Sequence, residues 1–227
     1  MHIKKATLSF LKDLKENNDR DWFQANKPRY EAARENVAEW TQALMNKLSE
    51  SDDIETLSGK KALFRIYRDV RFSKNKSPYK TNIAGHLTRA SKLRRGGYYF
   101  SIVPGGETVI GGGFYGIERD DLKRIREELS ADGDPMREIM SDTKFVDQFG
   151  EMLGEQLKTA PKGYDREHPN IDLLRYKQFY AFRSFTDQEV TSEAFLDEAH
   201  EAMLALRPFF DYFSEVLTTN ANGEIIV

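Results

Sequence analysis

Apolar residues in the first part of the chain recur at three- and four-residue steps, the spacing of one buried helix face. Phe10, Leu11 and Leu14 mark a short helix that Thr7 or Ser9 caps and the polar "ENND" ends. A second helix starts around Arg20–Trp22. A third runs from about Pro28, with Tyr30, Ala33, Val37, Trp40, Leu44 and Leu48 inward, until "SESDD" stops it. The period then shortens to two. In "ALFRIYRDVRF" the alternation puts Phe64, Ile66, Val70 and Phe72 on one side of a strand and Arg65, Tyr67, Asp69 and Arg71 on the other. "NIAGHLTRA", "GGYYFSIVPGG" and "ETVIGGGFYG" read as the next strands, with "PGGE" as a hairpin turn.

Helical spacing returns at Asp120, with Leu122, Ile125 and Leu129, and again at Asp134–Pro135, an N-cap followed by proline. After the turn-rich "TAPKGYDREHPNID", the aromatic "KQFYAFRSF" is a further strand. Thr186 to Glu189 forms a capping box, and Ser192 caps a last long helix that Pro208 kinks. That helix carries Phe195, Ala199, Met203, Leu206, Phe210, Phe213 and Leu217 on one face. Strands joined this closely pair antiparallel, because parallel partners need long crossovers. The expected fold is α+β: a mainly antiparallel sheet of about five strands, packed by N-terminal and C-terminal helices in one domain. Its parts are helices over 1–58, the sheet with a basic strand and loop over 60–117, helices over 118–160, and a loop, strand and helix over 161–227.

Composition adds constraints to this picture. Fifteen Phe and ten Tyr in 227 residues supply a packed core and exclude a disordered chain. No apolar run is long enough to cross a bilayer, and the chain has no cysteine, so a cytoplasmic protein without membrane partners is expected. Charge is segregated. From Lys60 to Arg95 twelve bases face one acid, a local charge of +11, against −14 for the remainder. That makes a local positive field.

The chemistry-bearing residues cluster around that field. Arg68 falls in the apolar row of its strand, where a guanidinium needs partners for its charge and donors. Asp69 points to the other face, within reach of Arg65 or Arg71. Downstream, "SKNKSPYKTN" presents Lys74, Lys76 and Lys80 around Pro78 and Tyr79, a stiffened basic loop suited to an anion. Far away in sequence, Lys177 and Arg183 lie among aromatics, and Arg183 repeats the problem of Arg68, so a shared polar centre is expected. Asp69, Tyr79 and His168 are the candidates for proton transfer. The histidines at 2, 86, 168 and 200 are too dispersed for a metal set, and no motif names a cofactor. "GGGFYG" lacks the order of a phosphate-cradling loop and reads as close backbone approach within a strand.

The run Arg65, Arg68, Asp69, Arg71, Phe72, followed by Asn75, Lys76 and Tyr79, closely resembles the signature of the bacterial DUF2461 family. "NNDRDWFQANKPRY", "GGGFY" and "PKGYDREHPNIDLLRYKQFYAFRSF" are similar to family text too, so the resemblance spans nearly the whole chain. It implies a marked set of residues and no reaction, so whether the chain is an enzyme stays open. Three functions remain. The first is binding, with processing left open, of an anionic, phosphate-bearing ligand by Arg65, Arg68, Arg71, Lys76, Lys80, Lys177 and Arg183. The second is a nucleic-acid-binding module that uses residues 60–95. The third is a structural or interaction domain whose basic segment is neutralised by the acidic remainder.

Overall fold

The protein is described over residues 1–220 and 222–226 in a computed structural model. The chain starts with helix α1 (Lys5–Glu16), which begins two residues before Thr7 and has no side-chain cap at Lys4. Thr7 has a different task. Its hydroxyl donates to Asn36 Oδ1 at 2.8 Å, and the Lys4 amide donates to the same oxygen at 2.8 Å. Asn36 thereby ties the N-terminus to helix α3 (Lys27–Leu48), with the short α2 (Arg20–Ala25) lying between them in sequence. The one-turn α4 (Gly59–Ala62) follows.

The sheet has four antiparallel strands in the order β1-β2-β3-β4: β1 (Ile83–Thr88), β2 (Gly97–Ile102), β3 (Thr108–Phe114) and β4 (Phe179–Phe185). The expected strand over 64–72 is not formed. Leu63 makes one bridge to Gly85, and the Phe64 amide donates to Ala84 O at 2.9 Å, after which the chain leaves the edge of the sheet. It pairs once more, Tyr67 with Tyr79, where Pro78 has no amide to extend the ladder. Of the anticipated apolar row only Ile66 is buried; Phe72 is 96 % exposed.

Between β3 and β4 lie α5 (Arg119–Ala131), α6 (Asp134–Ser141), α7 (Thr143–Phe149) and α8 (Ile171–Leu174). The last helices are α9 (Asp187–Val190), α10 (Phe195–Ala205) and α11 (Arg207–Thr218). The capping box at Thr186 and Glu189 is present. The long final helix is two helices, because Pro208 opens a new first turn rather than kinking an old one. Ser192 does not cap by its side chain; its buried hydroxyl has no partner among the described residues.

The chain forms two compact units. Unit 1 comprises Met1–Thr88, Tyr99–Ile110 and Ser184–Glu201. Its core is organised around Trp40, which stacks on Phe195 at 5.0 Å and meets the edge of Phe100 at 5.3 Å. The hairpin turn between β2 and β3 places Gly105 and Gly106 at positive φ, and both amides donate to the Asp187 carboxylate at 2.9–3.0 Å. Unit 2 comprises Arg89–Tyr98, Gly111–Arg183 and Ala202–Val227. Its core is an aromatic cluster in which Phe114 contacts Phe209 and Phe213, and Phe179 meets Phe213 edge-on at 5.0 Å. Backbones approach closely at the glycine tract. A Cβ on Gly111 would lie 2.0 Å from Ala181 O, and one on Gly112 2.4 Å from Gly97 O.

Candidate anion-binding site

In unit 1 the basic loop is held against α2 by backbone and aromatic contacts. Asp19 caps α2 by accepting from the Trp22 amide at 2.9 Å, which fixes Arg20 and Asp21 in the first turn and turns Phe23 inward. Just before the cap, Asn18 acts like a strand partner for Tyr79. Its Nδ2 donates to Tyr79 O at 3.0 Å, and its Oδ1 accepts from the Tyr79 amide at 3.1 Å. The Tyr79 ring stacks on Phe23 with centroids 4.0 Å apart, and Tyr67 is tilted against it at 5.5 Å.

This arrangement leaves a cleft of about 390 Å³ lined by Arg20, Asp21 and Gln24 of α2 and by Tyr67, Arg68, Val70, Pro78 and Tyr79 of the loop. That is the scale of a small-ligand site. Arg68 is half-buried here, not in the core. It donates to Ser77 O at 3.2 Å and makes a long contact to Ser73 Oγ at 3.5 Å, and no carboxylate pairs with it among the described residues. Burial pushes the Tyr79 phenol above its ordinary value, so at neutral pH it offers a proton and is no base.

Of the expected ligand residues only Arg68 lines this cleft, and the others in the loop make contacts elsewhere or none. Asp69 accepts from Arg71 Nε at 3.0 Å and from Nη2 at 2.7 Å, and these bonds hold its carboxyl below the usual range. An ionised carboxylate already held by a guanidinium is a poor base. Lys76 Nζ donates to Val70 O at 2.9 Å, which closes the loop on itself. Lys80 Nζ sits 5.5 Å from the Phe64 ring centre. Arg65 and Lys74 have no hydrogen-bond or ion-pair partner among the described residues.

The family profile described as "Conserved hypothetical protein (DUF2461)" matches residues 6–212. The chain belongs to the DUF2461 family. No curated protein and no solved structure gives a match. In this DUF2461 chain the remaining expected residues lie in unit 2, each with partners of its own. Lys177 pairs with Glu155 at 2.5 Å, and Arg183 donates to Gln148 Oε1 at 2.7 Å. Arg68 is thus engaged within unit 1 and Arg183 within unit 2.

His168 is held at both ring nitrogens. Its Nδ1 accepts from the Asn170 amide at 3.0 Å, so the proton of the neutral ring is on Nε2 and points at Ser130 Oγ, 3.0 Å away. In that tautomer it cannot take a proton from Ser130, and its geometry is that of a loop brace. No group of three or more His, Asp or Glu residues with metal-holding geometry occurs among the described residues.

The residues that complete the cleft in this DUF2461 member, Arg20, Asp21 and Gln24, and Asn18, which holds the Tyr79 backbone, went unassigned in the sequence. Their one signal was "NNDRDWFQ", an acid-capped helix start crowded with polar groups. The deeply buried arginine was also missed. Arg89, in unit 2, is 2 % exposed and donates to Arg95 O at 3.1 Å, to Ser214 Oγ at 3.5 Å and to Asp211.

Proposed function

We propose that the cleft between α2 and the basic loop binds an anionic, phosphate-bearing ligand. The observation that carries this reading is that Arg20 and Arg68, neither paired with a carboxylate among the described residues, line one concavity together with Tyr67 and Tyr79. Guanidinium forks match phosphate oxygens in a bidentate way, and phenols add donors that strengthen as charge is drawn in. Internal neutralisation of the basic segment is disfavoured by the loop itself. Among the described residues Arg65, Arg68, Lys74, Lys76 and Lys80 have no carboxylate partner, and Arg71 is matched only by Asp69, two positions before it.

The test is calorimetric titration of the full chain with inorganic phosphate, pyrophosphate, sugar phosphates and mononucleotides, with thermal unfolding run in parallel. One of these should bind and raise the midpoint. Arg20→Ala, at an exposed helix start, should fold normally and weaken binding about tenfold or more, the size of a charged hydrogen bond. Arg68→Lys should weaken it less, because charge survives while the fork is lost. If no ligand binds at millimolar concentration, or if Arg20→Ala binds as well as the parent, the reading fails.

A further inference from the structure

Three aromatic rings on the basic loop face solvent instead of the core. Phe64 is 45 % exposed, Tyr67 55 % and Phe72 96 %. Cations are interleaved with them. Lys80 lies over Phe64, Arg71 lies 5.9 Å from the Phe72 ring centre, Arg65, Arg68 and Arg71 fall between the rings in sequence, and Lys74 and Lys76 follow Phe72. The Phe64–Lys80 contact, the buried Tyr79 that precedes Lys80 in the chain, and the Tyr67 ring against it make a band that reaches the cleft at Tyr67, and Phe72 stands further along the same loop.

We infer that this band is a contact for single-stranded nucleic acid, with bases stacked on the exposed rings and a backbone phosphate in the Arg20–Arg68 cleft. The inference rests on the anion reading and names its ligand class. Rings with free faces accept any unpaired base, and cations set between them meet the phosphates that link successive bases. A duplex keeps its bases stacked inside and offers the rings nothing. A bilayer is the poorer fit: the rings are separated in sequence by Arg65, Arg68 and Arg71 rather than forming one apolar tip, and a flat surface does not enter a cleft.

The experiment is fluorescence anisotropy of labelled oligo-dT and oligo-U of about 15 nucleotides with the full chain, against a duplex of equal length. Single strands should bind more tightly than the duplex and more tightly than mononucleotides, and the two sugars distinguish DNA from RNA. Phe72→Ala, at a position with nothing to unfold, should weaken single-strand binding about tenfold, and Phe72→Trp should retain it. Arg65→Ala with Lys74→Ala should lower the salt dependence by about two phosphate contacts. Arg20→Ala should weaken phosphate and oligonucleotide together.

The inference is overturned if single strands do not bind at low salt, if duplex binds equally, or if Phe72→Ala changes nothing. It is overturned as well if phosphatidylserine vesicles or poly-glutamate, and not oligonucleotides, capture the protein in a Phe72-dependent way. If phosphate binds in an Arg20-dependent way while single strands bind no more tightly than a mononucleotide, the cleft reading stands and this one falls. If neither phosphate nor strand binds, both fall.

Discussion

Arg89 carries a guanidinium into the aromatic core of unit 2 and depends on its neighbours to stay there. The Arg95 carbonyl and the Ser214 hydroxyl take some of its donors, Phe210 lies 5.5 Å from its carbon, and Asp211 supplies a carboxylate. Asp211 is itself half-exposed and shared with Arg207, so the charge is anchored at the surface end of a buried side chain. Removing one member of such a pair strands the other in a medium that solvates it poorly. Asp211→Ala should therefore lose about 3 kcal/mol in urea unfolding, and Asp211→Asn, which keeps an acceptor, clearly less. Arg68→Ala gives the opposite case. It removes two contacts within a loop, one of them long, and should cost about 1 kcal/mol. Equal losses at the two positions would contradict the placement of Arg68 outside the core. The sequence pointed to Arg68 because it broke an apolar row, but that row does not exist once the strand is absent. Arg89 follows "GHLT", and nothing local marks it as buried; its partners Asp211 and Ser214 are over a hundred residues away.

At the scale of elements, three-residue and four-residue spacing identified α1, α3, α5 and the C-terminal helices, because each buries one face against a neighbour. Period two identified β1 to β4 but overreached at 64–72. There the pairing ends after Leu63 and Phe64 at the sheet edge, and the one later bridge is blocked from growing by Pro78. Alternation indicates which face a residue would take in a strand, not whether a partner strand is present. The glycine tract of β3 was legible for a physical reason: without side chains two backbones come closer than any Cβ permits. Gly111→Ala would place a carbon 2.0 Å from Ala181 O, and Gly112→Ala one 2.4 Å from Gly97 O. Both should destabilise by roughly 4 kcal/mol or prevent folding. Gly116→Ala meets nothing within 4 Å and should stay within about 0.5 kcal/mol of the parent. Expression and chemical unfolding of the three variants check this. The cleft was half legible, since Tyr79 and Arg68 were flagged by charge and turn chemistry. The α2 side was not, because one asparagine, 61 residues from Tyr79, makes the connection.

For the whole molecule, neither compact unit is one stretch of sequence. Each is assembled from three segments, so no shift in composition marks a boundary between them. Charge segregation along the chain is only partly relieved by folding. Lys60 pairs with Glu35, Arg89 with Asp211 and Arg95 with Asp121, while among the described residues the cations of the loop have no carboxylate except Asp69. No helix among the described residues is long and apolar enough to cross a membrane.

The balance of buried and exposed titrating groups sets the acid response. In unit 1, burial lowers His86 below its ordinary value, and burial followed by the Lys47 charge lowers His200, with Glu50 and Asp197 opposing. Both imidazoles are favoured neutral in the fold, so the unfolded chain binds more protons as pH drops below about 6.5. Stability should therefore fall from pH 7 to 5. A second loss belongs below about pH 4, where the unfolded carboxylates take up protons. Asp69, Asp172 and Asp197, each held low by a hydrogen-bonded Arg or Lys, are charged in the fold and lose that advantage there. Urea midpoints in half-unit pH steps would resolve the two phases. His86→Gln and His200→Gln should each flatten the upper phase and leave the lower one. A midpoint that stays level from pH 7 to 5 would show that neither imidazole resists protonation in the fold.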